Sequence, residues 1–401
     1  MRLNFRIKQI KMRIKQLLFF GLAALSLTSC FKDEAPNAEC DITKAWVQLG
    51  ENKWQNMFFN ISDTTKKVLY SDRTIYFIVR PEARLDSICP QFEITEGATI
   101  SPANGSCQDF SNGPVKYTVT SQDKQWTREY LVNFLLPQIP TSYSFDDSGI
   151  TYSDPFTGAT YCRWYEQCPT GDNSTVSMEV FSNANSGFAL SNTKADIEDY
   201  PSVVAEGFHG KGIRLTTCST GEWGKLVRRP LAAGNFFIGE FDVSEALKNT
   251  LHTTRMGRPF DRKPYKVTGL YKYKAGDVFW RYVNYKIEEH PEIKDRAAIY
   301  AVLYRNRDAQ GNEVILFGED SKTNPNIVAL AEMKEIPETD TWSPFEIIFD
   351  YNKDLDPDIL QRQGYSLTVV FTSSTDGAYY EGAPGSTLYI DDVEIICEET
   401  E

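Results

Sequence analysis

The side chains most able to do chemistry in this chain are carboxylates and aromatic rings. Among 401 residues there are 55 Asp and Glu, 7 Trp, 21 Tyr and 24 Phe, but only three histidines, His209, His252 and His290. The histidines are scattered, and nothing in the sequence sets one beside a nucleophile. No GxSxG elbow, phosphate loop, GxGxxG turn or HExxH helix occurs. Glycoside hydrolysis needs two carboxylates, about 5–5.5 Å apart for retention or about 6.5–9.5 Å apart for inversion. Glu166, Glu222, Glu319 and Asp320 stand near aromatic or turn-rich segments. Spacing along the chain selects no pair among them.

Aromatic rings offer a different chemistry. The C–H face of a sugar stacks on Trp or Tyr while neighbouring Asn, Asp or Arg bonds its hydroxyls. Trp164 and Tyr165 lie in a segment bounded by Cys162 and Cys168, Trp223 sits between Gly221 and Gly224, and Tyr379 and Tyr380 occupy a glycine-rich stretch. Such placements favour exposure, so these five residues are the candidate ligand contacts. Trp280 and Tyr282 share one strand face with Asn284, where packing into the core is an equal reading.

Eight cysteines fall at 30, 40, 89, 107, 162, 168, 218 and 397. No CxxC occurs, so a zinc site of the usual spacing has no support. Cys162 and Cys168 are close enough to close a tight loop, Cys89 and Cys107 could clip one hairpin, and Cys218 and Cys397 could join distant strands. If Cys30 is lipidated, seven remain, and an odd number leaves at least one thiol free or intermolecular. The rest are expected to be buried thiols or structural bridges.

The charge of the chain is uneven. Its 42 basic and 55 acidic side chains give a net −13, yet residues 1–29 hold six basic groups and no acid. The remainder carries 36 basic against 55 acidic groups, a net −19. So acidic a body lacks the clustered Lys and Arg that nucleic acid requires. With 41% apolar and 13% aromatic residues it is not a disordered chain, and its length predicts two domains.

The basic leader continues into an apolar stretch, Gln16 to Leu27. About a dozen residues are too few to span a bilayer and read as the core of a secretory signal. Leu27-Thr28-Ser29-Cys30 resembles a bacterial lipobox, whose cysteine is lipidated and becomes the mature N-terminus. The alternative is a chance cysteine after an ordinary signal. Met12 is a second possible start, and Phe31-Lys32-Asp33-Glu34 resembles an export signal for the outer face of the outer membrane. The sequence thus predicts a signal over 1–29, a tether over 30–39 and a lipid anchor at Cys30, with the protein held in the outer membrane and facing outward.

The elements that must position any site are strands. Ile75–Val79 ends before Pro81, Val115–Thr120 alternates with period two, and Tyr130–Phe134 follows. Short strands separated by turn clusters predict a β-sandwich over 40–137. Pro137–Pro140 reads as a linker. Beyond it Val267–Lys274, Asp295–Asn306, Glu313–Phe317, Phe345–Asp350 and Tyr365–Ser373 read as strands, with a hairpin turn at Asp308–Gly311. Val243–Leu251 is the best helix candidate. The expected class is all-β, with a larger jelly roll over 141–399 that has long loops and little helix.

Two resemblances follow. Residues 94–134 are similar to the immunoglobulin-like domains at the front of Bacteroidetes surface lipoproteins, through Gly97-Ala98-Thr99-Ile100, Asp109-Phe110-Ser111 and Tyr117-Thr118-Val119-Thr120. Three later segments resemble the putative carbohydrate metabolism domain of such lipoproteins. They are Gly210–Thr217, Thr268–Asp277 and Gly382–Ile395. The resemblance implies a jelly roll similar to carbohydrate-binding modules, with an immunoglobulin-like partner whose role is spacing.

Modules of that kind often hold a structural calcium against their first and last strands, which draws attention to Asp146, Asp147, Asp391 and Asp392. An acid among Leu388, Ile390, Val393 and Ile395 needs a partner. Calcium, a hydrogen-bonded turn or an arginine would each serve. Asp350-x-Asn352-x-Asp354 begins like a calcium loop, but Leu355 stands where an EF-hand needs glycine. The expected function is capture of polysaccharide or glycoconjugate at the cell surface. The alternatives are a glycoside hydrolase or related enzyme on the same fold, and a structural or adhesive protein that binds surface proteins.

Overall fold

The computed structural model describes residues 36–49, 57–58, 61–80, 83–155, 157–170, 175–246 and 249–398. The signal segment, Cys30 and the export-like residues 31–34 lie outside them, as does the side chain of Trp223. The described residues of 1–48, 64–75 and 86–133 form one compact unit, and those of 49–63, 76–85 and 134–401 form another. Among the described residues no helix is long and apolar enough to cross a membrane.

The N-terminal sandwich has two sheets. One has the strand order Thr65–Lys67, Ile42–Val47, Pro90–Ile94, and the other Thr74–Ile78, Thr127–Leu135, Val115–Thr120, Thr99–Ser101. Period-two alternation decides which side chains face inward. Tyr117, Val119, Tyr130 and Val132 are fully buried, and Phe92 of the first sheet meets Tyr117 of the second with ring centroids 4.7 Å apart. Cys89 and Cys107 are joined, as the hairpin clip predicted.

Two larger sheets make the jelly roll. The six-stranded sheet runs Ser202–Glu206, Lys211–Thr216, Thr387–Cys397, Pro264–Lys274, Thr339–Ile348, with Ser142–Tyr143 paired to Thr387–Cys397. The eight-stranded sheet runs Phe181–Ser182, Asn235–Phe241, Tyr365–Thr372, Ala298–Arg305, Ile327–Glu332, Asp350–Tyr351. Thr254–Met256 and Arg258–Phe260 pair onto Asn235–Phe241 and Tyr365–Thr372. Between the sheets Ile299, Ala301, Leu303, Val369 and Phe371 pack with Ile213, Leu215, Val267 and Ile390.

The eight-stranded sheet is unusual in being covered on its outer face too. There Phe237, Met256, Tyr300, Val302, Tyr304 and Val370 form a second apolar cluster with Leu316. Seven of the eight residues of Ala298–Arg305 are buried for that reason. A strand half-exposed to water would alternate, whereas one buried on both faces reads as a continuous apolar run.

Two expectations need correction. Glu313–Phe317 is not a strand and makes only isolated bridges, Glu313 to Arg307 and Leu316 to Met256. The expected Asp308–Gly311 hairpin turn is present, with Asp308 N bonded to Asn312 O at 2.9 Å, and the Asp308 carboxylate braces it by accepting from Gln310 N at 2.9 Å and Asn312 N at 2.8 Å. Val243–Leu251, of which 247–248 lie outside the described residues, is not one helix in its described part. It holds separate 3-10 turns at Val243–Glu245 and Thr250–His252, because so short a run gains too few backbone bonds to offset helix nucleation.

Candidate functional site

A cavity of about 210 Å³ opens on the outer face of the eight-stranded sheet. Phe237, Met256, Tyr300 and Val370 contribute its apolar surface from the strands, and described residues of the segments 184–191, 220–233, 246–254 and 374–380 supply the walls. The walls are rich in hydroxyls. Tyr380 donates its phenolic hydrogen to Thr250 Oγ1 at 2.6 Å, and Thr372 donates to the Ser374 carbonyl at 3.1 Å. Burial pushes the Tyr380 phenol up from its ordinary value, against a partial pull down from the Thr250 contact and the nearby Arg229. Arg229 is the sole charged side chain among the described residues lining the cavity, and no carboxylate or histidine is among them.

One buried acid positions a wall without entering the cavity. Asp295 is 3% exposed. Its Oδ2 accepts from Ser374 Oγ at 2.6 Å, Ala383 N at 2.7 Å and Ser386 Oγ at 2.7 Å, while Oδ1 accepts from Arg296 N at 2.8 Å. Ser374 also meets Thr217 Oγ1 at 2.5 Å. The segment carrying Tyr379 and Tyr380 is therefore tied to a carboxylate at both of its ends. Close approach demands glycine at 382, where φ is +151° and a Cβ would stand 2.6 Å from Ser374 Oγ. Burial raises the Asp295 carboxyl, and its donors pull it back only in part.

The aromatic candidates separate. Tyr380 lines the cavity and Tyr379 is 54% exposed. Trp164 is a correction: it is fully buried, its ring 5.0 Å from Phe236, because it ends a strand that packs into the core. Tyr165 is half-buried, with the Arg163 guanidinium 5.6 Å from its ring. The Trp223 side chain lies outside the described residues.

The proposed Cys162–Cys168 loop is also corrected, since both thiols are free and buried. Cys162 pairs opposite Thr151 and Cys168 opposite Val176, in two separate hairpins. Burial pushes Cys168 up to about 12. Cys218 and Cys397 are free as well. Thr216 stands opposite Thr387, and Cys397 lies ten residues further along that strand, about 33 Å away.

The carboxylates named from sequence do not converge. Glu222 pairs with Lys225 at 2.8 Å and Glu319 with His252 at 3.2 Å. Asp320 accepts from Phe317 N at 2.8 Å, and Glu166 is a half-buried strand residue raised by burial. None of the four lines the cavity.

The acids at the first and last strands find protein partners. Asp391 is fully buried, and its Oδ2 accepts from Phe208 N at 2.6 Å and His209 N at 3.1 Å. Asp146 accepts from Lys211 N at 2.8 Å, Asp392 meets His209 Nδ1 at 2.8 Å, and Asp147 is exposed. A hydrogen-bonded turn, one of the three partners open to Asp391, is thus present. No group of three or more His, Cys, Asp or Glu able to hold a metal occurs among the described residues.

Sequence reasoning missed Asp295 and the cavity floor. The floor had a signal, because Tyr300 and Tyr304 alternate with Ile299, Ala301 and Leu303 on a strand with no polar face. Asp295 had none, since its partners at 374, 383 and 386 are distant in sequence.

The chain is similar to known proteins at this level of structure. A family model described as "SGBP, N-terminal" matches residues 57–134. A solved structure from Bacteroides thetaiotaomicron VPI-5482, described as a putative glycoside hydrolase, is 33% identical, with a TM-score of 0.61, over 92% of this chain and 100% of that one. Another from Bacteroides vulgatus ATCC 8482, described likewise, is 36% identical, with a TM-score of 0.57, over 65% of this chain and 100% of that one. No curated protein matches the chain. The model described as "Putative carbohydrate metabolism domain" matches residues 144–396, more than half the chain, and the chain belongs to that family.

Proposed function

We propose that this protein is a lipid-anchored surface protein that captures glycan, with the cavity on the eight-stranded sheet taking one sugar residue. The observation that carries the reading is the make-up of the cavity: an apolar floor, hydroxyl-bearing walls, one arginine and no described carboxylate. A cavity of about 150 Å³ accommodates benzene, so 210 Å³ accommodates a single six-membered ring. The sugar's C–H face lies against the apolar lining, and its hydroxyls exchange bonds with Thr250 and Tyr380. Cleavage would need an acid and a second carboxylate flanking the bond. Family membership supports a carbohydrate ligand.

Calorimetric titration of the purified protein against a broad glycan panel tests this. Ala378 is exposed at the cavity wall. Ala378→Trp is expected to abolish binding without moving the melting temperature; retained affinity would place the sugar elsewhere. Hydrolysis is the second reading, favoured by the similarity to two proteins described as putative glycoside hydrolases. Release of new reducing ends from a bound glycan would establish it.

Anchoring is separable from capture. The lipobox-like Leu27–Cys30 supports lipidation at Cys30, and two or more acyl chains give stable membrane attachment. Cys30→Ala is expected to move the protein from the membrane to the soluble fraction. Persistent membrane association would refute the anchor.

A further inference from the structure

A cavity that holds one ring leaves the rest of any glycan chain outside it, and a hairpin beside the wall is built to receive that remainder. Strands Phe279–Val283 and Lys286–His290 pair across a turn at Asn284 and Tyr285, where both residues take positive φ, 49° and 65°. The hairpin is fastened to the cavity wall at two places. Trp280 and Gly382 exchange backbone bonds, Trp280 N to Gly382 O at 2.8 Å and Gly382 N to Trp280 O at 3.1 Å. At the tip, the Arg228 guanidinium lies 3.9 Å over the Tyr285 ring, one residue from Arg229 of the wall.

Rings connect these fastenings to the cavity. Tyr380 lines it, and the Tyr282 ring stands 6.2 Å from Tyr380 at 82°. Tyr285 is 66% exposed even with Arg228 on its ring. A large ring left in water costs solvation; Tyr285 is such a ring, and Tyr282, half-buried, precedes it on the hairpin and stands beside Tyr380 of the cavity wall. Arg228 fixes Tyr285, so little side-chain freedom remains to be lost on binding.

Resting on the capture reading above, we infer that Tyr282 and Tyr285 form outer subsites for the second and third residues of a linear oligosaccharide whose terminal residue occupies the cavity. The ligand class is therefore a chain recognised by its end, with each outer residue stacking on one tyrosine.

The test is a comparison of chain lengths on the purified full chain. Methyl glycosides of glucose, galactose, mannose and xylose are titrated beside the β-1,4-linked trisaccharides of the same sugars. The trisaccharide of the sugar that binds is expected to hold about tenfold or more tighter than its methyl glycoside. Tyr285→Ala and Tyr282→Ala should each remove most of that gain, Tyr285→Ala leaving methyl glycoside binding unchanged, while Tyr285→Phe should keep it. An equal affinity for both lengths, or a gain that survives both alanine variants, overturns this inference and leaves the cavity reading standing. Binding by no glycoside or trisaccharide removes the capture reading, and the outer subsites with it. Thermal melts of each variant separate lost contacts from lost fold.

Discussion

Replacing Asp295 by alanine is expected to destabilise the protein by about 3–5 kcal/mol and to weaken sugar binding at temperatures where the variant is still folded. The carboxylate has two hydroxyl and two amide donors, from Ser374, Ser386, Ala383 and Arg296. Alanine would leave these buried donors without an acceptor, and each such loss costs about 1–3 kcal/mol before relaxation. The melting temperature should fall by roughly 10 °C. Because Ser374 and Ala383 bracket the segment bearing Tyr380, the hydroxyl facing the cavity loses its fixed position as well. Thermal denaturation and titration together check this, and a variant with wild-type melting temperature would refute it.

The same residue predicts a pH effect of definite sign. Burial raises the Asp295 carboxyl in the folded chain, so the folded state takes up a proton more readily than the unfolded one. Its contribution is greatest below the ordinary carboxylate value of about 3.9 and falls as pH rises through the higher folded value. Asp295→Asn removes the titration. In the pH range just above 4 its stability should decline less with rising pH than that of the parent.

Replacing Trp164 by alanine is expected to cost about 3–5 kcal/mol, although the sequence offered this residue as a ligand contact. The ring is fully buried, packed edge-on against Phe236, which in turn stacks on Phe181 with centroids 4.5 Å apart. Removing it empties the core beneath Asn235–Phe241, whose Phe237 faces the cavity from the opposite side. Trp164→Phe separates packing from recognition. The indole N–H has no hydrogen-bond partner among the described residues, so phenylalanine forfeits area but no polar bond. Sugar affinity should be unchanged in that variant while stability drops modestly. A collapse of affinity with intact fold would return Trp164 to the binding surface.

These two residues mark where sequence is informative about this chain. Strands with a clear pattern were legible: Val115–Thr120 alternates because one face meets a sheet and the other meets water, and Tyr365–Thr372 is largely apolar, with Ser366 and Thr368 buried among its apolar residues, because both faces are covered. The Cys89–Cys107 bridge was legible from its hairpin spacing. Trp164 was misread because flanking cysteines suggested a bridged loop, whereas those thiols sit in separate hairpins and the tryptophan ends a buried strand. Of the five aromatic candidates, Tyr380 alone lines the cavity among the described side chains. A pairing such as Asp295 with Ser386 joins groups brought together only by the sheets, and local composition carries no trace of it.

The doubly covered sheet divides the site into parts with different freedom to change. Its floor comes from strands whose opposite faces are committed to the central core, so a substitution at Phe237 or Tyr300 disturbs the backbone that also carries Phe236 or Ile299. The walls come from connecting segments that tolerate insertion and exchange. Divergence within the family should therefore be recorded in the walls, with the floor changing least.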